Sequence, residues 1–196
     1  MPESRASARS RILDAAVQLI AREGIDDVRI ARIAVQAGVS PSLLHYHFES
    51  RDSLLAEALE HSYALAGDIR TSREDEPAHA PDRVKWMIDQ CLPQPGSLHD
   101  DWMLWVELWL HAGRRPELRP TAARLYARMH EWFVDAIAEG EATGEFRVDD
   151  RRRTVDRLLA LLDGYGIRAL IEDFSLERAR EEIWAAIAPE LGLAPA

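Results

Sequence analysis

Apolar residues recur along this chain at helical spacing, and nowhere do they alternate in the two-residue rhythm of a strand. Ile12, Leu13, Ala16, Val17 and Ile20 make one face of a first helix, which Gly24 ends. Val28, Ile30, Ile33 and Ala34 belong to a second, with Asp26 or Asp27 as its cap. Leu43, Leu44 and Phe48 sit on a short third helix. Ser50 caps a long fourth, whose face is Leu54, Leu55, Ala58, Leu59, Ser62, Leu65, Ala66 and Ile69. Residues 71–82 are polar and carry two prolines, which predicts a loop. The later helical faces are Val84-Met87-Ile88-Cys91, Leu98-Trp102-Trp105-Trp109 and Ala122-Leu125-Tyr126-Met129-Trp132-Phe133-Ala136-Ile137. Pro93, Pro95 and Gly96 separate the first two faces, and Gly113, Pro116 and Pro120 the next two. Two last helices span residues 150–172 and 175–188. The pattern predicts an all-α chain of about nine helices.

The junction between the second and third helices carries the most information. It reads Ala37-Gly38-Val39-Ser40-Pro41. Glycine can take the left-handed conformation that ends a helix, serine is a good N-cap, and proline suits the first helical position. Two short helices joined this way form a helix-turn-helix unit, whose second helix enters the DNA major groove. Regulation of transcription is the function this arrangement implies.

Charge first speaks against DNA binding, since the net charge is −10. The distribution changes that picture. Up to Arg51 there are seven arginines and six acidic residues, a balance of +1, and the remainder of the chain carries −11. Only the N-terminal part is not repelled by phosphate, and Arg5, Arg9 and Arg11 join Arg29, Arg32 and Arg51 as candidate phosphate contacts. No run approaches the ~18 apolar residues of a membrane span, and the N-terminus lacks a signal peptide's apolar region, so the expected location is cytoplasmic with no membrane partner. The single cysteine, Cys91, excludes an internal disulfide and is too little for a cysteine-based metal site. His45, His47 and Glu49 alternate on one helix, where residues two apart point about 200° apart, so they cannot chelate one ion. There is no glycine-rich phosphate loop, nucleophile elbow or metal-ligand spacing, so neither catalysis nor a cofactor is expected.

The segments ILDAAVQLIAREG, IARIAVQAGVS and LLHYHFESRDSLLAEAL resemble the tetracycline-repressor family of regulators. WMLWVELWLHAGRRPELR, EGEATGEFR and LLDGYGIRAL are similar to its branch related to the choline-responsive repressor BetI. The resemblance implies a three-helix, helix-turn-helix DNA-binding domain over residues 1–52, followed by a helical ligand-binding and dimerisation domain over 53–196. It implies a dimeric repressor, released from double-stranded operator DNA when an unidentified small-molecule effector shifts the fourth helix. The sequence does not fix the sign of regulation, and a helical interaction or scaffold protein that does not read DNA is the alternative. His45 stands where the family often has Tyr, Arg51 where it usually has Lys, and Val28-Arg29 where a Thr commonly opens the second helix. Capping and phosphate contact there pass to Asp27 and Arg29.

By position and resemblance, Ser42, Leu43 and His45 are the base-edge readers, with Pro41 and Leu43 offering apolar contact to thymine methyls. Tyr46, His47 and Arg51 suit phosphates, and Arg29, Arg32 and Ser40 complete the expected DNA-binding set. Leu44 and Phe48, four residues apart, fill the core. Trp102, Trp105 and Trp109 share a face and, with Met87, Cys91, Tyr126, Met129 and Trp132, are candidate walls of an effector pocket; core packing is the alternative for each. Aromatic rings beside Glu107 or Asp163 could hold a cation. The eighth helix is apolar on more than one side, so it needs two partners. Leu158, Leu161 and Tyr165, with Ile183, Trp184 and Ile187 of the last helix, are the candidate dimer interface. Burial inside a large monomer is the alternative.

Overall fold

The computed structural model describes residues 7–70 and 76–194, the side chains of 63–70 and 97 excepted. Arg5, the segment 71–75 and the side chains of Leu65, Ala66 and Ile69 therefore lie outside the described residues. The chain divides into two compact units, one of residues 1–69 with 100–125 and one of 70–99 with 126–196.

In the first unit, α1 (Ala8–Glu23) starts at Ser7, whose hydroxyl accepts the Ser10 N–H at 3.1 Å. It buries Ile12, Leu13, Ala16 and Ile20 and ends at Gly24. α2 (Ile30–Ala37) packs on it through Ile33 and Ala34. Gly38 ends α2 with φ 65° and ψ 39°, and its N–H and that of Val39 return to the last carbonyls of the helix. A residue with a Cβ pays in steric energy for that left-handed conformation, so the turn needs its glycine. α3 (Pro41–His47) follows, with Ser40 accepting the Leu43 N–H at 3.2 Å and Pro41 in the first turn. Phe48 to Ser50 lead into α4 (Arg51–Arg70). There Ser50 and Ser53 cap each other: the Ser53 N–H donates to Ser50 Oγ at 3.0 Å and the Ser50 N–H to Ser53 Oγ at 3.1 Å. This is a reciprocal capping box built from two serines.

The second unit contains α5 (Ala80–Gln90), most of α7 (Arg119–Ala142), α8 (Arg151–Leu170) and α9 (Leu176–Ile187). α6 (Ser97–Arg114) lies in the first unit from Asp100 onward. Among the described residues these nine α-helices are joined by turns and two short 3₁₀ segments, Pro116–Leu118 and Ala188–Leu191, with no strand. Two expectations are corrected here. The loop expected to reach residue 82 stops before Ala80, with Pro81 in the first turn of α5; Pro120 likewise falls in the first turn of α7. Proline is tolerated at the start of a helix because the N–H it lacks has no intrahelical partner there. A proline read only as a breaker is thus misplaced by a few residues.

The first unit's core gathers Ile12, Ile20, Ala34, Leu44, Phe48, Leu54, Leu55, Ala58, Leu104 and Leu108. Phe48 is 2% exposed and follows α3 directly. Truncating it (Phe48→Ala) is expected to cost about 3–5 kcal/mol, as large-to-small core changes do. A urea titration followed by circular dichroism measures this; a loss below about 1 kcal/mol contradicts the packing.

Candidate nucleic-acid interface and effector site

Leu44, with no exposed surface, and Phe48 pin one side of α3 to the core. The opposite side carries Pro41, Ser42, His45 and Tyr46, all exposed, Tyr46 to 82%. Leu43 and His47 sit half-buried at the edges, and the Tyr46 and His47 rings meet edge-on at 5.3 Å. A short helix thus presents a proline ring, a hydroxyl, an imidazole and a phenol on one surface, a mixture of apolar and hydrogen-bonding groups suited to base edges and phosphates.

The arginines divide differently from expectation. Arg29 is exposed at the start of α2. Arg32 is also exposed but pairs with Glu23. Arg51 donates to the Asp26 carbonyl at 3.3 Å and the Val28 carbonyl at 2.9 Å, which ties the start of α4 to the α1–α2 turn. A turn leaves carbonyls without helical partners, and a guanidinium with five donors satisfies two at once. Arg9 pairs with Glu57 beside the Phe48 ring, and Arg11 donates to the Ala37 carbonyl. The cap expected from Asp26 or Asp27 is also corrected: Arg29 holds the N-cap position of α2, with extended backbone and no side-chain cap bond.

The candidate effector residues fall into two sets. In the first unit, Trp102 and Trp109 meet edge-on at 5.8 Å, and Trp105 lies 6.1 Å from Trp109. In the second, Trp132 contacts Trp86 at 6.3 Å and Phe133 at 5.2 Å, and Cys91 Sγ lies 4.0 Å from Met129 Sδ. Met87 is wholly buried. On α6 the tryptophan face expected from the sequence is not the most buried: Leu104 and Leu108 are more deeply buried than Trp102. Trp86 is an aromatic neighbour the periodicity did not single out.

The two carboxylates considered for a cation separate clearly. Glu107 accepts the Ile25 N–H at 2.9 Å and so serves the α1–α2 turn. Asp163 accepts the Tyr126 hydroxyl at 2.7 Å. Burial pushes the Asp163 carboxyl above its ordinary range, and the bond from Tyr126 opposes that rise. A partly desolvated carboxylate beside a phenol ring is short of positive charge, which a cation could supply.

On the helices expected to form the dimer contact, Leu158, Ile183 and Ile187 have no exposed surface. A side chain wholly buried in its own subunit cannot touch another, so these three serve the α8–α9 packing instead. Lys85 Nζ stands 4.7 Å above the Trp184 ring. Leu161 and Tyr165 are half-buried, and Ile171 is 67% exposed. Among the described residues no helix is long and apolar enough to cross a membrane, and no cluster of His, Cys, Asp and Glu could hold a metal ion.

A helix-turn-helix unit with an exposed mixed face on its second helix, followed by a helical domain, defines a DNA-binding regulator. The family pattern of bacterial regulatory proteins of the tetR family matches residues 12–58, and that of the C-terminal region of BetI-type transcriptional repressors matches residues 80–192. The chain belongs to the tetR family and has a BetI-type C-terminal region; it is a DNA-binding transcriptional repressor, of a family that is not enzymatic. The regulator BetI of Brucella suis is 29% identical over 82% of this chain and 78% of its own length. A transcriptional regulator from Saccharomonospora viridis, solved in complex with choline, is 35% identical with a TM-score of 0.79, covering 90% of this chain and 93% of that one. A tetR-family regulator from a Rhodococcus species is 33% identical with a TM-score of 0.83, covering 94% and 98%.

The Asp163 environment makes a pH prediction. With its folded-state pKa raised, the folded protein holds the proton more tightly than the unfolded one does. Its contribution is therefore most favourable below the ordinary carboxylate range and is lost as pH rises through the raised value. Asp163→Asn keeps an acceptor for Tyr126 and removes the charge. The variant is expected to gain in melting temperature relative to wild type as pH rises from 4 to 7. Thermal melts across that range check it, and a difference that is flat or falls with pH contradicts the burial argument.

Proposed function

We propose that this chain is a cytoplasmic, homodimeric repressor whose effector is a small organic cation of the quaternary-ammonium class. The observation that carries the effector class is the Asp163–Tyr126 pair, a carboxylate whose burial disfavours its charge and which accepts the hydroxyl of an aromatic side chain. An alkylated ammonium ion suits such a place, because it gains from the carboxylate and from aromatic faces without needing hydrogen bonds. The choline bound by the Saccharomonospora regulator supports the same class. Trp132, Met129, Cys91 and Tyr126 of the second unit are the pocket residues this reading favours, and Met87 packs as core.

In this reading residues 1–52 bind operator DNA and residues 53–196 carry effector binding and dimerisation. Pro41, Ser42, Leu43 and His45 face base edges. Ser40, Tyr46, His47, Arg29 and Arg32 face the backbone, Arg32 by exchanging Glu23 for phosphate, while Arg51 braces the turn behind them. The dimer contact runs along α8 and its C-terminal cap, where Leu161, Tyr165 and Ile171 keep surface to offer and two-fold packing against a second copy would cover them.

Isothermal titration of the full chain with choline chloride tests the effector class. Wild type is expected to bind, and Asp163→Asn to bind at least tenfold more weakly. Equal affinities remove Asp163 from the site, and no wild-type binding at millimolar choline removes the class. For the DNA face, His45→Ala is expected to relax base preference at one operator position by about 1–3 kcal/mol. Arg29→Ala is expected to weaken all sequences alike and lower the salt slope by about 1. Binding selections at two salt concentrations distinguish the two outcomes, and a uniform loss from His45→Ala contradicts its base-reading role.

A further inference from the structure

Glu107 and His111 of α6 and Arg115, the residue that follows α6, are spaced four apart; the first and last reach the α1–α2 turn and His111 lies between them. Glu107 accepts the Ile25 N–H at 2.9 Å. A Cβ placed on Gly24, whose φ is 78°, would lie 3.1 Å from Glu107 Oε1, so the carboxylate is seated closely against the turn. His111 is 3% exposed, and its Nε2 stands 3.3 Å from Glu107 Oε2, off the line of a hydrogen bond. Arg115 closes the last turn of α6, its N–H donating to the His111 carbonyl at 2.7 Å. Its guanidinium pairs with Asp52 in the first turn of α4 and lies 3.6 Å from Asp26 in the turn itself.

These are unusual places for polar groups. The turn residues Ile25 and Val28 are 3% exposed each, so the Ile25 N–H has little water to turn to. A buried N–H left without an acceptor costs about 1–3 kcal/mol, and no group of α1 or α2 replaces Glu107 there. A carboxylate on a helix some eighty positions away in sequence thus completes the hydrogen bonding of the turn that launches α2. α2 in turn packs against α3. The position of the recognition helix therefore depends on where α6 holds the turn, while none of the three residues needs to touch DNA.

We propose that the Glu107–His111–Arg115 stripe is a positioning element for DNA recognition, fixing the α1–α2 turn and through it the exposed face of α3. The proposal rests on operator binding but not on the identity of the effector. Glu107→Gln keeps an acceptor for Ile25 and loses only charge. Glu107→Ala removes the acceptor, and Arg115→Ala removes the link to Asp52 and Asp26.

The test uses the full chain and a duplex selected from a random pool by the wild type, with fluorescence anisotropy at several salt concentrations. Glu107→Ala is expected to bind about tenfold more weakly, Arg115→Ala about threefold, and Glu107→Gln within about twofold of wild type. The slope of log affinity against log salt is expected to stay at the wild-type value in all three, because no phosphate contact is removed. Amide exchange over residues 24–37 should quicken in Glu107→Ala and not in Glu107→Gln, which a purely global loss of stability would not produce. Wild-type affinity in folded Glu107→Ala overturns the proposal, as does a salt slope lowered by about one in Arg115→Ala, which makes that arginine a phosphate contact. If Glu107→Ala does not fold, Arg115→Ala decides: unchanged affinity there overturns the stripe. A duplex that binds wild type but not Glu107→Gln overturns the acceptor role alone and leaves the operator reading intact.

Discussion

A helix of seven residues has no stability of its own in water, because helix nucleation costs more than so few hydrogen bonds return. α3 exists because Leu44 and Phe48 are buried in the core of the first unit and because Ser40, Pro41 and Gly38 set its beginning. The same two anchors settle its rotation. With Leu44 turned inward, residues 42 and 46 fall on the opposite face, and Pro41 and His45 stand exposed beside them. The surface proposed to face the groove is therefore a consequence of core packing: it is what the anchors leave exposed.

The anchors hold α3 to its immediate neighbours, but polar contacts fix the frame around it. Arg51, Glu107 and Arg115 converge on residues 24–28, taking up carbonyls, an N–H and a carboxylate of a turn with little hydrogen bonding of its own. Along α4, Glu57 meets Arg9, His61 meets Asp14 at 2.7 Å, Ser62 meets Asp101 and Glu60 meets Arg124. An apolar face resists sliding only weakly, because dispersion has no direction, whereas charged and hydrogen-bonded pairs favour one register. Such a frame holds the first unit in one geometry.

Local signals were the legible part of this chain. Gly38, Ser40 and Pro41 each act within a few residues, so the helix-turn-helix and the ends of α1 and α3 follow directly from them. The charge split likewise needs no tertiary knowledge. What stayed hidden depends on distant residues. Glu107 looks like a surface carboxylate on a tryptophan-rich helix until the fold brings Ile25 to it. Arg51 looks like a phosphate contact until the carbonyls of Asp26 and Val28 are placed beside it. Periodicity shows that Leu158, Ile183 and Ile187 are buried but not against what, since packing within a subunit and between subunits leaves the same pattern. The two misplaced prolines, Pro81 and Pro120, reflect a residue that is compatible with a helix start as well as with a break.

In the proposed function, effector and operator compete through one conformational equilibrium of the same chain. Thermodynamic linkage makes this measurable without assumptions about the path between the sites. The decisive measurement is the affinity for operator with and without saturating choline, set beside the affinity for choline with and without saturating operator. Choline is expected to weaken operator binding by about 5–150-fold, and operator to weaken choline binding by the same factor. Choline that binds but leaves operator affinity unchanged would contradict it.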